Sequence, residues 1–185
     1  MIMKARSTKQ GYTLIELIVA VGLFSIIMTL STGAYLVMIG VNRHTQGLAT
    51  GINNLSFAIE SMTTNIRTGS AYCSASDCIA GVNSSSFSFR DRNGAYVRYG
   101  LVNGTIMVCK SQTGFCNPLT AGTAVTTPPP AVSVTRLTFN ATGIATTDVL
   151  QPYVRMNISG TVTTAPGKTQ TFDAQTGAIM RGTDL

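Results

Sequence analysis

A carboxylate sits where water is not expected. Glu16 falls near the start of the stretch Gly11-Tyr-Thr-Leu-Ile-Glu-Leu-Ile-Val-Ala-Val-Gly-Leu-Phe-Ser-Ile-Ile-Met-Thr-Leu30, and Leu17 to Asn42 holds neither a charge nor a proline. A charged side chain in a membrane segment costs on the order of 2.5 to 3.5 kcal/mol even on the mild insertion scale, so it calls for a partner. The other reactive side chains are Cys73, Cys78, Cys109 and Cys116, all beyond that run. In an oxidising exterior they read as two disulfides, with three connectivities possible. The local pairing, Cys73 with Cys78 and Cys109 with Cys116, is expected because each pair closes a short loop. Zinc is the alternative chemistry. The Cys-x4-Cys and Cys-x6-Cys spacings are looser than usual zinc sites and His44 is remote in sequence, so no metal and no other cofactor is expected. Asp77, Asp91, Asp148, Asp173 and Asp184 are scattered, and no glycine-rich phosphate loop follows a strand. Nothing in this inventory forms a catalytic constellation, and an enzyme is not expected.

The element that positions Glu16 is an apolar helix long enough to cross the roughly 30 Å hydrocarbon core of a bilayer. Lys4, Arg6 and Lys9 precede it, and positive charge holds that end in the cytoplasm and sends the rest of the chain outside. An ordinary secretory signal has a shorter apolar core ending in a small-residue cut site. Thr32-Gly33-Ala34 is a poor candidate, since Tyr35, Leu36, Val37, Met38 and Ile39 carry the run onward and no lipoprotein cysteine follows. Removal of the helix at its far end is not expected.

A basic leader ending in Gly11, then an aromatic residue, then Thr-Leu-Ile-Glu and a long apolar helix resembles the type IV pilin and type II secretion pseudopilin superfamily over about Lys4 to Ile39. The resemblance implies that a prepilin peptidase cuts after Gly11 and methylates the new amino terminus at Tyr12. It implies that Glu16, the fifth mature residue, meets the terminal amine of a neighbouring subunit during filament assembly. It also implies other pilin or pseudopilin subunits and an inner-membrane assembly platform as partners. Physical chemistry agrees, because an amine and a carboxylate attract far more strongly in low dielectric than in water. Desolvation offsets much of that attraction, so such a pair sets register more than it adds stability. Glu16 has a plainer reading as well, as half of a Thr13-x-x-Glu16 capping box, and the two roles are compatible. Two departures stand out. Tyr12 replaces the commoner Phe, and Gly33 stands where many major pilins carry a helix-loosening proline, a gentler disturbance at about 1 kcal/mol against about 3. The second departure points to a minor pilin or pseudopilin.

With 185 residues, 44% hydrophobic and 11% charged, the chain has room for one membrane helix and one modest head. Its formal charge of +6 falls to +3 without Lys4, Arg6 and Lys9, which does not by itself argue for nucleic acid. Arg43 and His44 fall where the helix leaves the headgroups, as snorkelling residues. Helical periodicity then resumes through Leu48, Ile52, Leu55, Ile59, Met62 and Ile66, with Asn53, Asn54, Ser61, Thr64 and Asn65 opposite. One helix from about Thr13 to Arg67, roughly 80 Å long, is predicted, apolar all round at first and then on one face against a sheet. Gly47 and Gly51 are its weak points.

Thr68-Gly69-Ser70 ends the helix and the Cys73–Cys78 stretch brackets a polar loop. Strands are predicted over Ser84–Arg90, Ala95–Leu101 and Thr105–Lys110, joined at Arg92-Asn93-Gly94 and Asn103-Gly104 as a three-stranded meander. Arg90, Arg92 and Arg98 are expected on solvated strand edges, and Tyr96 and Tyr99 as packing residues rather than base-stacking ones. Ser111 to Pro130 reads as an irregular crossing with an extended, stiff Pro128-Pro129-Pro130 end. Val132–Phe139, Tyr153–Ile158 and Lys168–Phe172 follow as strands, turning at Thr142-Gly143 and Pro166-Gly167, with Ala174–Arg181 extending the last. The stretch from Pro129 is similar to the C-terminal half of minor pilins and larger minor pseudopilins. Asn-x-Ser/Thr matches such as those at Asn83, Asn103, Asn140 and Asn157 are chance-level in so Ser/Thr-rich a chain.

The expected fold is therefore α+β and pilin-like, a long N-terminal helix packed on an antiparallel β-sheet head. Its expected divisions are a cleaved leader (1–11), a membrane and filament-core half of the helix (12–42), an amphipathic half (43–69) and the head (70–185). The expected function is a structural subunit of a type IV pilus or pilus-like secretion or DNA-uptake machine. It is first single-pass in the cytoplasmic membrane with the head outside, then in an extracellular or periplasmic filament. The alternative is a membrane-anchored binding module that is never polymerised, its head catching DNA, a surface or another protein.

Overall fold

The computed structural model describes residues 11–73, 77–115, 119–144 and 150–181. Helix α1 (Leu14–Arg67) opens it. Thr13 starts α1 by accepting the Glu16 N–H on its hydroxyl at 3.3 Å, which satisfies one of the donors that a helix start leaves free. At the other end the Thr68 hydroxyl turns back to the Thr64 carbonyl at 3.1 Å, and the Gly69 N–H tightens onto the Ile66 carbonyl at 3.0 Å. The observed bounds differ from the predicted ones by a single residue at the start.

The chain divides into two compact units, the first ending at Asn42 and the second beginning at Arg43. In the first, most large apolar side chains stand exposed, Met28 at 50% and Leu14 at 77%, while Ile39 is half-buried. The hydroxyls of Ser25, Thr29 and Thr32 donate to the carbonyls four residues back at 2.8 Å, so they need no outside partner in an apolar solvent.

The second unit packs the rest of α1 against two four-stranded antiparallel sheets. One contains β2 (Ser86–Arg90), β3 (Tyr96–Val102), β4 (Thr105–Ser111) and β5 (Thr123–Ala124), in that order. The other runs β1 (Asn83–Ser84), β6 (Val132–Thr142), β7 (Tyr153–Ala165), β8 (Lys168–Ile179). The predicted single strand Ser84–Arg90 is thus split at Ser85 between two sheets. The predicted meander is β2 to β4, and its Asn103-Gly104 turn has both residues at positive φ, 48° and 76°, as a two-residue hairpin requires. The crossing expected to be irregular throughout supplies β5, and Pro129–Ala131 make a turn instead of an extended end. The strand expected from Lys168 and extended from Ala174 is β8, which ends at Ile179.

Aromatic rings join the layers. Phe87 of β2 stacks on Phe139 of β6 at 5.5 Å between centroids and meets Tyr72 at 5.4 Å. Tyr99 is buried, and the Asn65 side chain of α1 donates to its hydroxyl at 2.9 Å. The buried face of α1 is Gly51, Leu55, Ala58, Met62 and Ile66. Fully burying residues such as Met62 and Ile66 contributes about 1.5–3 kcal/mol each. This face is rotated from the predicted stripe, since Ile52 is 50% exposed and two residues assigned to the polar side are bonded into the head. Asn65 reaches Tyr99, and Asn54 Oδ1 accepts the Thr127 N–H at 2.9 Å.

The rotation has a cause in two glycines. A Cβ at Gly47 would lie 2.3 Å from the Thr164 carbonyl oxygen, and one at Gly51 would lie 2.1 Å from Val162 Cγ1. These positions are close contacts of helix on strand, not the weak points that helix propensity suggests. Gly47→Ala is expected to lower the unfolding free energy of the head by about 1–3 kcal/mol, because overpacking against backbone outweighs the roughly 1 kcal/mol helix gain. Gly40→Ala, where a Cβ meets nothing within 4 Å, is expected to leave head unfolding unchanged. Thermal or denaturant melts of the two variants check this.

Candidate functional site

The residues with a predicted role fall at two places. At the first, Gly11 and Tyr12 precede the helix in exposed, irregular backbone, Tyr12 being 86% exposed. Glu16 lies one turn in, with its backbone N–H on Thr13. This is one half of the capping box. Among the described residues the Glu16 carboxylate has no hydrogen bond and no ion pair. A carboxylate in the first turn of a helix is favoured by the helix dipole. From Leu14 on, the helix is long and apolar enough to cross a membrane, and none of its most apolar stretch is buried among the described residues.

At the second place, Cys73 and Cys78 are joined as a disulfide with Cα atoms 5.1 Å apart. Cys109 is also disulfide-bonded, while Cys116 lies outside the described residues. Among the described residues no group of His, Cys, Asp and Glu is arranged to hold a metal ion. The disulfide loop is held to the first sheet by the Cys73 N–H on the Ser88 carbonyl at 2.8 Å. Asp77, in the same loop, has a side chain only 3% exposed and lies 3.2 Å from Arg98 Nε. Its two oxygens accept the hydroxyls of Ser88 and Ser86.

That pair corrects the expectation for Arg98, which is half-buried against Asp77 and not on a solvated edge. Arg90 is exposed as expected and lies over the Tyr96 ring, 4.3 Å from its centroid. The sequence spacing holds no signal for Asp77 and Arg98, which meet only because the loop folds over β2 and β3.

Asp91 organises the turn at Arg92-Asn93-Gly94. Its Oδ1 accepts the N–H groups of Asn93 and Ala95 at 2.9 Å, and its Oδ2 meets Lys110 Nζ at 3.1 Å. Partial burial opposes ionisation, but Lys110 and the two backbone donors outweigh it and hold the carboxyl below its ordinary 3.8.

Residues 6–32 match the family model described as the prokaryotic N-terminal methylation motif. The chain thus carries a prepilin-type methylation motif, the hallmark of type IV pilins and pseudopilins, on an apolar helix followed by an α+β head. The motif implies processing by prepilin peptidase and assembly with other pilin subunits, and with the helix it fits a membrane-anchored protein bearing a head. Comparison with curated proteins and with solved structures returns no match.

Two outcomes are expected of the head. Arg98→Met leaves the buried Asp77 charge unpaired and costs about 3 kcal/mol, whereas adding Asp77→Asn to it recovers much of that loss; denaturant melts of both variants measure the difference. For Asp91 the folded pKa is below the unfolded one, so its stabilisation is complete above about pH 4 and is lost as pH falls through the folded value. Asp91→Asn is expected to flatten that acid limb of the thermal midpoint and to lower the midpoint at pH 7.

Proposed function

We propose that the chain is a structural, non-enzymatic subunit, a minor pilin or pseudopilin, of a type IV pilus or a pilus-like secretion or DNA-uptake machine. The observation that supports it best is the methylation motif at residues 6–32 on a helix whose most apolar stretch is not buried among the described residues. Prepilin peptidase removes residues 1–11 by cutting after Gly11 and methylates Tyr12. Residues 12–42 hold the subunit in the cytoplasmic membrane and later line the filament core, 43–69 carry the head, and 70–185 form it outside. The inner-membrane assembly platform moves subunits from one setting to the other.

The mechanism is packing with one charge pair. An exposed apolar helix in water would cost about 25 cal/mol for each Å² left uncovered, so once the subunit leaves the lipid its neighbours must cover it. The amine of Tyr12 in one subunit and the Glu16 carboxylate of the next pair in low dielectric, and the penalty for leaving either alone rejects wrong staggers. The minor role rests on Gly33 in place of proline and on the strand pattern of the second sheet.

Intact-mass spectrometry of the non-reduced protein, made with and without its own host's prepilin peptidase, tests the processing. Loss of residues 1–11 plus gain of a methyl group only with the peptidase is expected. An unchanged N-terminus would favour an anchored binding module that is never polymerised. Glu16→Ala is expected to insert normally and to enter filaments about tenfold less, the effect of losing roughly 1.4 kcal/mol; equal incorporation would sink the charge-pair mechanism.

A further inference from the structure

Three of the four sheet edges are guarded. On one edge β1 and on another β5 is only two residues long, and β2 is covered by backbone bonds from Ser70 to Arg90 and from Cys73 to Ser88. The fourth edge is β8, twelve residues long. The Met180 N–H donates to the Pro152 carbonyl, and with Tyr153 opposite Ile179 this fixes the alternation. Even-numbered residues of β8 turn their backbone groups to β7, and Thr171, Asp173, Gln175 and Gly177 turn theirs away. Among the described residues nothing bonds to these outward groups. The other defences of a free edge are few, since β8 has no proline, its Lys168 is at the very start, Asp173 is the one charge further along, and the bulge of this hairpin is at Thr163/Ala165. Long unprotected edges pair with other chains.

The side chains beside the edge describe what would pair there. On the outer face Tyr153 lies across Gly177, whose Cβ would fall 2.2 Å from the Tyr153 hydroxyl. Tyr153 and Ile179, 38% and 51% exposed, make an apolar platform at that end. Further along, Asp173 and Gln175 border a groove of about 380 Å³ shared with Arg136 and Asn157, and Asp173 has no ion pair among the described residues. On the inner face Ala174 and Thr176 are half-buried at the rim of the core.

We propose that the β8 edge is a strand-addition site for an extended segment of a different polypeptide, running antiparallel to β8. A residue opposite Gly177 then meets the Tyr153–Ile179 platform, the second residue after it meets Gln175 and the fourth meets Asp173. The segment therefore reads apolar-x-polar-x-basic, with small or branched apolar residues at the x positions over Thr176 and Ala174. A second copy is the poorer occupant. Gly47 lies against Thr164 and the Arg67 carbonyl accepts the Arg181 N–H, so β8 runs in the same sense as residues 43–67 of α1. Two β8 strands paired antiparallel would set those helix segments head to tail, whereas subunits of one filament run them alike. Only this choice of occupant rests on the subunit reading; the free edge does not.

The test is amide hydrogen exchange on the full chain in detergent micelles, with the peptide acetyl-Thr-Ile-Val-Thr-Val-Lys-Thr-amide as probe. Exchange at Asp173, Gln175 and Gly177 is expected to slow at least about tenfold, with the β7-facing amides unchanged. A peptide with Ile and Lys exchanged is expected to protect less, and Asp173→Lys to reverse that preference. Gln175→Pro deletes an N–H outside the β7 ladder, so the head should melt as before while the protection is lost. No slowing at millimolar peptide, or equal slowing in Gln175→Pro, overturns the proposal. Protection that rises with chain concentration in the absence of peptide would assign the edge to a second copy and overturn the choice of partner. None of these readouts depends on whether Gly11 is cut.

Discussion

The head depends on how closely one helix can approach one strand. At Gly47 and Gly51 the α1 backbone lies so near Thr164 and Val162 that no Cβ fits between them. Close contact there sets the rotation of the helix, and the rotation sets everything the helix buries. It brings Leu55, Ala58, Met62 and Ile66 to the core and turns Ile52 outward. It also brings Asn54 and Asn65 into bonds with the loop at Thr127 and with Tyr99. A helix with larger residues at those two positions would sit farther out and present a different face.

The two units solve different solvation problems with one continuous helix. Residues up to Asn42 keep their polar groups satisfied within the helix, with hydroxyls folded onto carbonyls and the first turn capped by Thr13. Most of their large apolar side chains are exposed among the described residues, a surface that an apolar surrounding would solvate better than water. In the second unit the same helix finds its partners within the chain. Glu16 is the exception in the first unit, a charge with neither a bond from the described chain nor water to rely on in a membrane.

The head guards its polar groups in two ways. Local turn chemistry handles Asp91, whose carboxylate collects two backbone donors and Lys110. Long-range folding handles Asp77, carried by the disulfide loop to Arg98 and the serines of β2. The first arrangement costs little to lose because water can reach it, and the second cannot be broken from one side without leaving a buried charge.

Much of this was legible in the residues. The methylation motif, matched over residues 6–32, was legible because it is a pattern of neighbouring residues: a basic leader, Gly11, Thr13, Glu16 and an uncharged run. Helix bounds, the Asn103-Gly104 hairpin and the local Cys73–Cys78 bridge were legible for the same reason, since each depends on neighbours a few residues apart. What the sequence left open was every contact between distant segments. Helical periodicity found Leu55, Met62 and Ile66 but put Ile52 on the buried face and Asn54 and Asn65 opposite it, because it counts side chains and cannot see that an absent one at Gly51 lets β7 come close. It read Ser84–Arg90 as one strand, because alternation does not reveal that Ser85 crosses from one sheet to another. It put Arg98 at the surface, because Asp77 is brought there only by the fold. Local pattern determined the elements and the processing signal; tertiary packing alone decided which faces meet, which charges are buried and which strand edge is left open.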